Sequence, residues 1–94
     1  MCLEEESMPT VTVYSLPEDQ CRACWGNSKW LTSKGIPFEK VYINEDEEAY
    51  RYVTEELGFR SAPVVVVRDG DRIIDKWDGF MVTKIEALAK RLAA

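Results

Sequence analysis

The stretch Thr10–Cys24, TVTVYSLPEDQCRAC, decides the fold. Thr10 to Leu16 alternates polar and apolar residues, with β-branched side chains at Thr10, Val11, Thr12 and Val13, and Pro17 stops it. That pattern predicts a strand. Beyond the loop Pro17-Glu18-Asp19-Gln20, the run Cys21 to Lys34 lacks a β-branched cluster and meets Gly35, a good left-handed helix terminator, so a helix is expected there. Its apolar positions, Ala23, Trp25, Trp30 and Leu31, fit a helical stripe poorly, and Gly26 inside it costs about 1 kcal/mol relative to alanine. Either this glycine permits a close backbone approach, or the helix leans on tertiary packing.

Working outward, Pro37 to Ile43 alternates again and predicts a second strand, and Asn44 with Glu47 offers a capping pair for a helix running to about Leu57 and closed by Gly58. Glu45, Asp46 and Glu47 would fall in its first turn, where the helix dipole favours negative charge. Val64 to Val67 is an unbroken β-branched run, the mark of a strand buried on both faces. Asp69-Gly70 is a two-residue hairpin signal, so Arg72 to Trp77 should return antiparallel to it. Thr83 with Glu86 reads as a capping box for a last helix, whose stripe is Ile85, Leu88, Ala89 and Leu92. The expected class is α/β, ordered β-α-β-α-β-β-α. A right-handed crossover makes the first two strands parallel, within one four-stranded mixed sheet flanked by three helices.

The chain has 94 residues, with 12 basic against 17 acidic side chains and a net charge of -5. It has room for one small core. Residues 1–9, with Glu4, Glu5 and Glu6, read as a mobile acidic arm ahead of a domain over 10–94. The acidity argues against a nucleic-acid partner, and no apolar run reaches the ~20 residues of a membrane span. A monomer in the cytoplasm, bound to no membrane, is expected. Three cysteines, Cys2, Cys21 and Cys24, are too few and too uneven to staple a secreted mini-fold. With no histidine, the usual proton shuttle and metal ligand are missing. Chemistry must rest on thiols or carboxylates.

Cys21-Arg22-Ala23-Cys24 is a C-x-x-C where a loop enters a helix inside a β-α-β unit. Residues i and i+3 share a helix face, so the sulfurs can close a small disulfide or open to a dithiol. Cys21, at the helix N-terminus, meets free backbone N–H groups and the positive dipole end, which favour a thiolate; Cys24 lies a turn further in. Cys21 is thus the candidate attacker and Cys24 the candidate resolver. Lowering a thiol pKa from about 8.5 to about 7 raises the thiolate fraction at neutral pH roughly 15-fold. Nucleophilicity falls about fivefold at the same time, leaving about a threefold gain in attack. The larger benefit is to Cys21 as a leaving group when Cys24 attacks. Arg22 would assist this, and Glu18 and Asp19 would oppose it. Half of a zinc site and a pair of inert buried cysteines are the other readings of the motif. No metal or cofactor is expected.

Val13-Tyr14-Ser15, the C-x-x-C, Ala62-Pro63-Val64-Val65 and Trp77-Asp78-Gly79-Phe80 together resemble the glutaredoxin-like branch of the thioredoxin fold, and most closely the NrdH-redoxin family, over roughly residues 10 to 92. The resemblance implies a small thiol-disulfide oxidoreductase, an electron carrier reduced by thioredoxin reductase that serves a class Ib ribonucleotide reductase. It implies that Pro63 is the cis-proline beside the active disulfide, with the Ala62 backbone pairing with a bound substrate strand. Trp77, Gly79 and Phe80 would form the Trp-x-Gly-Phe element that fills the space where glutaredoxins bind glutathione. Arg22, Ala23 and Trp25 join these as candidate partner-binding residues, while Trp30 reads as core. The chain departs from the family at Met81-Val82-Thr83, where Arg-Pro-Asp is common, and at the longer, acidic loop Leu16-Pro17-Glu18-Asp19-Gln20. That loop is unwelcoming to a glutathione carboxylate. A glutathione-dependent glutaredoxin is the alternative, and a non-enzymatic metal- or Fe–S-binding module the remoter one.

Overall fold

A computed structural model describes residues 9–93. The expected arm over 1–9, with Cys2, therefore lies outside the described residues except for Pro9. Strands β1 (Thr10–Ser15), β2 (Glu39–Tyr42), β3 (Val64–Asp69) and β4 (Arg72–Asp78) form one mixed sheet in the order β2-β1-β3-β4. β1 runs parallel to β2 and antiparallel to β3, and β3 pairs antiparallel with β4. Helices α1 (Arg22–Ser33), α2 (Glu47–Arg51) and α3 (Val82–Ala93) complete the expected order. Among the described residues no helix is long and apolar enough to cross a membrane.

The β-branched run does what its composition dictates. β3 is an inner strand, and Val64, Val65, Val66 and Val67 are all buried, each contributing about 1.5–3 kcal/mol. Alternation divides them between two cores. Val65 and Val67 join Val11, Val13, Leu31 and Ile85 on the α1/α3 face, while Val64 and Val66 join Tyr14, Ala49 and Val53 on the α2 face.

Several local expectations shift. Cys21 is the N-cap of α1 rather than its first residue. The cap of α2 is Asp46, which accepts from the Ala49 N–H at 3.0 Å, and not Asn44. Ile43 still donates to Ser15 O at 2.9 Å, and a turn from Glu45 N to Tyr42 O follows, so the chain reaches helical geometry only after Asn44. Past Arg51 the helix widens into a π-helical turn over Tyr52–Glu56, which no residue in it announces. The β3–β4 hairpin turns on Gly70 and Asp71 instead of Asp69-Gly70: Asp69 pairs with Arg72, and Gly70 takes the positive φ of 64°. A register shift beside Val67/Arg68 leaves Ile74 as an extra residue in β4. Thr83 does not cap α3, which already starts at Val82, with Ile85 N donating to Met81 O at 3.1 Å. The expected stripe holds: Ile85 and Leu88 are buried, with Ala89 and Leu92 packed beside them.

Candidate active site

α1 is aimed by β1 and its own cap. Cys21 has extended backbone (φ -141°, ψ 99°), and its Sγ accepts from the Cys24 N–H at 3.1 Å, satisfying one of the free amides at the helix start. Cys21 and Cys24 are joined as a disulfide with Cα atoms 5.2 Å apart. The pair is asymmetric in access: Cys21 is partly exposed, whereas Cys24 has 0% exposure. An incoming sulfur can reach Cys21 alone.

Cys21 opens onto a cleft of about 510 Å³ lined by Glu18, Asp19, Gln20, Cys21, Arg22 and Trp25. Trp25 stands 54% exposed between this cleft and a second of about 370 Å³ that runs toward Ser33. The Lys29 ammonium lies 5.6 Å from the Trp25 ring centroid, a cation–π distance. Opposite the disulfide, the Ala62–Pro63 peptide is cis, and Cys21 Sγ lies 3.9 Å from Ala62 O. Arg22 is exposed and Ala23 half-buried on the rim of this surface.

The Trp77–Phe80 segment ties the core to the Pro63 loop and to α1. Trp77 sits opposite Val65 and is buried in the α1/α3 core, which leaves little of its ring exposed. The backbone N–H of Gly79 donates to Pro63 O at 2.7 Å, in a turn that needs a φ of 84°. Ser61 Oγ donates to Asp78 Oδ2 at 2.5 Å, a second tie between the two loops. Phe80 then lies on α1: a Cβ built on Gly26 would come within 2.9 Å of the Phe80 ring, and Phe80 also meets Trp30 at 6.3 Å between ring centroids. What approaches this glycine is an aromatic ring and not the expected backbone, and the ring's closeness is the reason for a glycine inside this helix. Trp30 is half-buried against the core, as expected of a packing residue.

The acidic loop is not the free negative field the sequence suggested. Glu18 is bonded to Lys40 on β2 and accepts from Tyr42 Oη at 3.0 Å. The Lys40 hydrogen bond, outweighing burial, holds the Glu18 carboxyl below its ordinary value, and donation to Glu18 pushes the Tyr42 phenol up. With Lys40 compensating Glu18, only Asp19 is left in that loop to oppose a thiolate at Cys21. Lys40 and Tyr42, which were not singled out from the sequence, belong to the site's scaffold. Their partner is 22 and 24 residues away, and no local pattern links such positions. Asn27, fully buried on α1, was likewise missed.

Comparison with known proteins points the same way. A family model described as Glutaredoxin matches residues 11–73. The chain is 41% identical over 59 residues to the glutaredoxin-like protein NrdH of Lactococcus lactis subsp. lactis, spanning 63% of this chain and 78% of that one. It is 45% identical over 56 residues to the Gene 56 protein of Mycobacterium phage L5, covering 60% of this chain and about half, 52%, of that protein. Among solved structures, the glutaredoxin-like NrdH-redoxin from Escherichia coli superposes with a TM-score of 0.72 at 26% identity, over 84% of this chain and 93% of that one.

Proposed function

The chain belongs to the glutaredoxin family, among its glutaredoxin-like NrdH proteins, and its Cys21–Cys24 pair is the centre of a thiol-disulfide oxidoreductase; from that premise we propose that it carries electrons from thioredoxin reductase to ribonucleotide reductase. The working unit is residues 10–94, with the acidic arm of 1–9 outside it. In the cycle, the Cys21 thiolate attacks an acceptor disulfide and forms a mixed disulfide. Cys24 then attacks Cys21 Sγ, and the second acceptor thiol leaves. The Cys24 N–H that bonds Cys21 Sγ also stabilises Cys21 as the leaving thiolate in that second step.

One observation carries the choice of reductant: the Trp77–Phe80 segment is locked onto α1 and Pro63, with Phe80 against Gly26. It fills the flank of the disulfide with protein. Lys40 is already bonded to Glu18 of the loop, which favours a protein reductant over a tripeptide carrying free carboxylates. Arg22, Ala23, Trp25 and the Ala62 backbone form the surface such a partner would meet.

The test is NADPH consumption during disulfide reduction, run in parallel with thioredoxin reductase and with glutathione plus glutathione reductase. Turnover with thioredoxin reductase alone is expected. Turnover with glutathione alone would make the chain a glutathione-dependent glutaredoxin.

A further inference from the structure

Helix α1 buries Cys24, Gly26, Asn27 and Leu31. Cys24, Asn27 and Leu31 all have 0% exposure, and their spacing of three and four residues places them on one face. Asn27 is the polar member of that row. Neither its Nδ2 nor its Oδ1 has a hydrogen-bond partner among the described residues. A fully buried carboxamide with both ends unpaired is unfavourable and calls for an explanation.

Helix geometry says where the carboxamide reaches. A helical side chain leans back over the preceding turn, which from position 27 is the turn that holds Cys24. In the disulfide, the Cys24 sulfur has no proton to give and is a weak acceptor. Reduction changes its character: a thiol can donate, and a thiolate is a strong acceptor. We propose that Asn27 is a positioning residue for Cys24, unpaired in the disulfide and paired in the dithiol. Its Oδ1 accepts from the Cys24 thiol, and its Nδ2 donates to the Cys24 thiolate.

The chemistry balances without Asn27 gaining or losing anything. The Cys21 thiolate attacks one sulfur of the acceptor disulfide, that S–S bond breaks, and the first acceptor thiolate leaves. The Cys24 thiolate attacks Cys21 Sγ, the mixed disulfide breaks, and the second acceptor thiolate leaves. Two electrons pass from the cysteine pair to the acceptor, and the two protons lost by Cys21 and Cys24 end on the acceptor thiols. By bonding only the open form, Asn27 favours the reduced state and makes Cys24 easier to ionise where burial alone would hinder it.

This inference rests on the Cys21–Cys24 cycle and not on which reductase drives it. Equilibration with dithiothreitol therefore separates its failure from that of the partner reading. In Asn27→Leu, similar in shape but without polar atoms, the equilibrium should move toward the disulfide about tenfold, which is about 30 mV more negative for a two-electron couple. In a Cys21→Ser background, the same change should raise the pH at which Cys24 ionises. Asn27→Thr, which keeps a donor and an acceptor, should stay within twofold of the parent. If the leucine protein does not fold, Asn27→Ala is read in the same way. An apolar variant within twofold of the parent overturns the proposal, as it would if a buried water satisfied Asn27 in both redox states. Equal shifts in the apolar and threonine variants also overturn it, because packing alone would then account for them.

Discussion

Helices α1 and α2 begin alike. Each follows a residue in extended backbone whose side chain accepts from the amide three residues on: Cys21 from Cys24 at 3.1 Å and Asp46 from Ala49 at 3.0 Å. They differ in charge. α2 has a carboxylate cap and both Glu47 and Glu48 in its first turn, so its dipole is permanently complemented. α1 has no acidic residue in its first turn, and its cap is a sulfur. The anion that this helix end favours appears only when Cys21 is a thiolate. One backbone plan thus serves stability at α2 and reactivity at α1, according to whether the cap's charge is fixed or switchable.

The strongest way to break the comparison is Cys21→Ser. Serine is a good cap, so α1 should survive and reduced-state stability should change by less than about 1 kcal/mol. Disulfide reduction should nevertheless fall to background, and Cys24→Ser should accumulate mixed disulfides visible by mass spectrometry. Next in size is Gly26→Ala. Helix propensity favours it by about 1 kcal/mol, but the new Cβ would meet Phe80 at 2.9 Å. Overpacking should win, with a net loss of about 1–2 kcal/mol in urea unfolding. That result would show α1 held by its packing where α2 is held by its cap.

Asp46→Ala sharpens the other side. It should cost about 1 kcal/mol of stability and leave turnover at the parent rate. The smallest effect concerns Glu18, the carboxylate tied off beside α1. Its pKa is lower folded than its ordinary 4.5, so the folded state binds fewer protons there. Its contribution is present above pH 4.5 and lost as pH falls through the lower folded value. Glu18→Gln should flatten that part of the acid-unfolding curve, read by circular dichroism against pH.

What could be read from residues alone follows from how local each cause is. The burial of β3 on both faces was legible because four consecutive valines call for it, and the hairpin because Gly70 stands where a positive φ is needed; that β1 lies between β2 and β3 was not read. The C-x-x-C and its helix were legible for the same reason. The stripe of α1 was not, because the slots facing the core hold Cys24, Gly26 and Asn27, which do not look apolar, while Trp25 points outward. Functional demands occupied the positions by which an amphipathic helix is usually read. The caps of α2 and α3 were each misplaced by two residues because Asn44 and Asp46 are equally good caps by type, and Thr83 is a good cap by type as well. Which residue serves depends on where β2 and the Gly79 turn release the chain. Contacts at long range, Glu18 with Lys40 and Phe80 with Gly26, leave no local trace.

The two outer strands of the sheet carry one more consequence. β2 is only four residues long and presents Glu39 and Lys40, whose ammonium is already bonded to Glu18. β4 bears Arg72, Asp75 and Lys76, and is bent where Ile74 is inserted. A second copy that tried to extend the sheet at either edge would have to bury charge or straighten a kink. Colloidal behaviour is thereby separated from redox chemistry: crowding the protein should not zip its sheets into fibrils, whether the disulfide is open or closed.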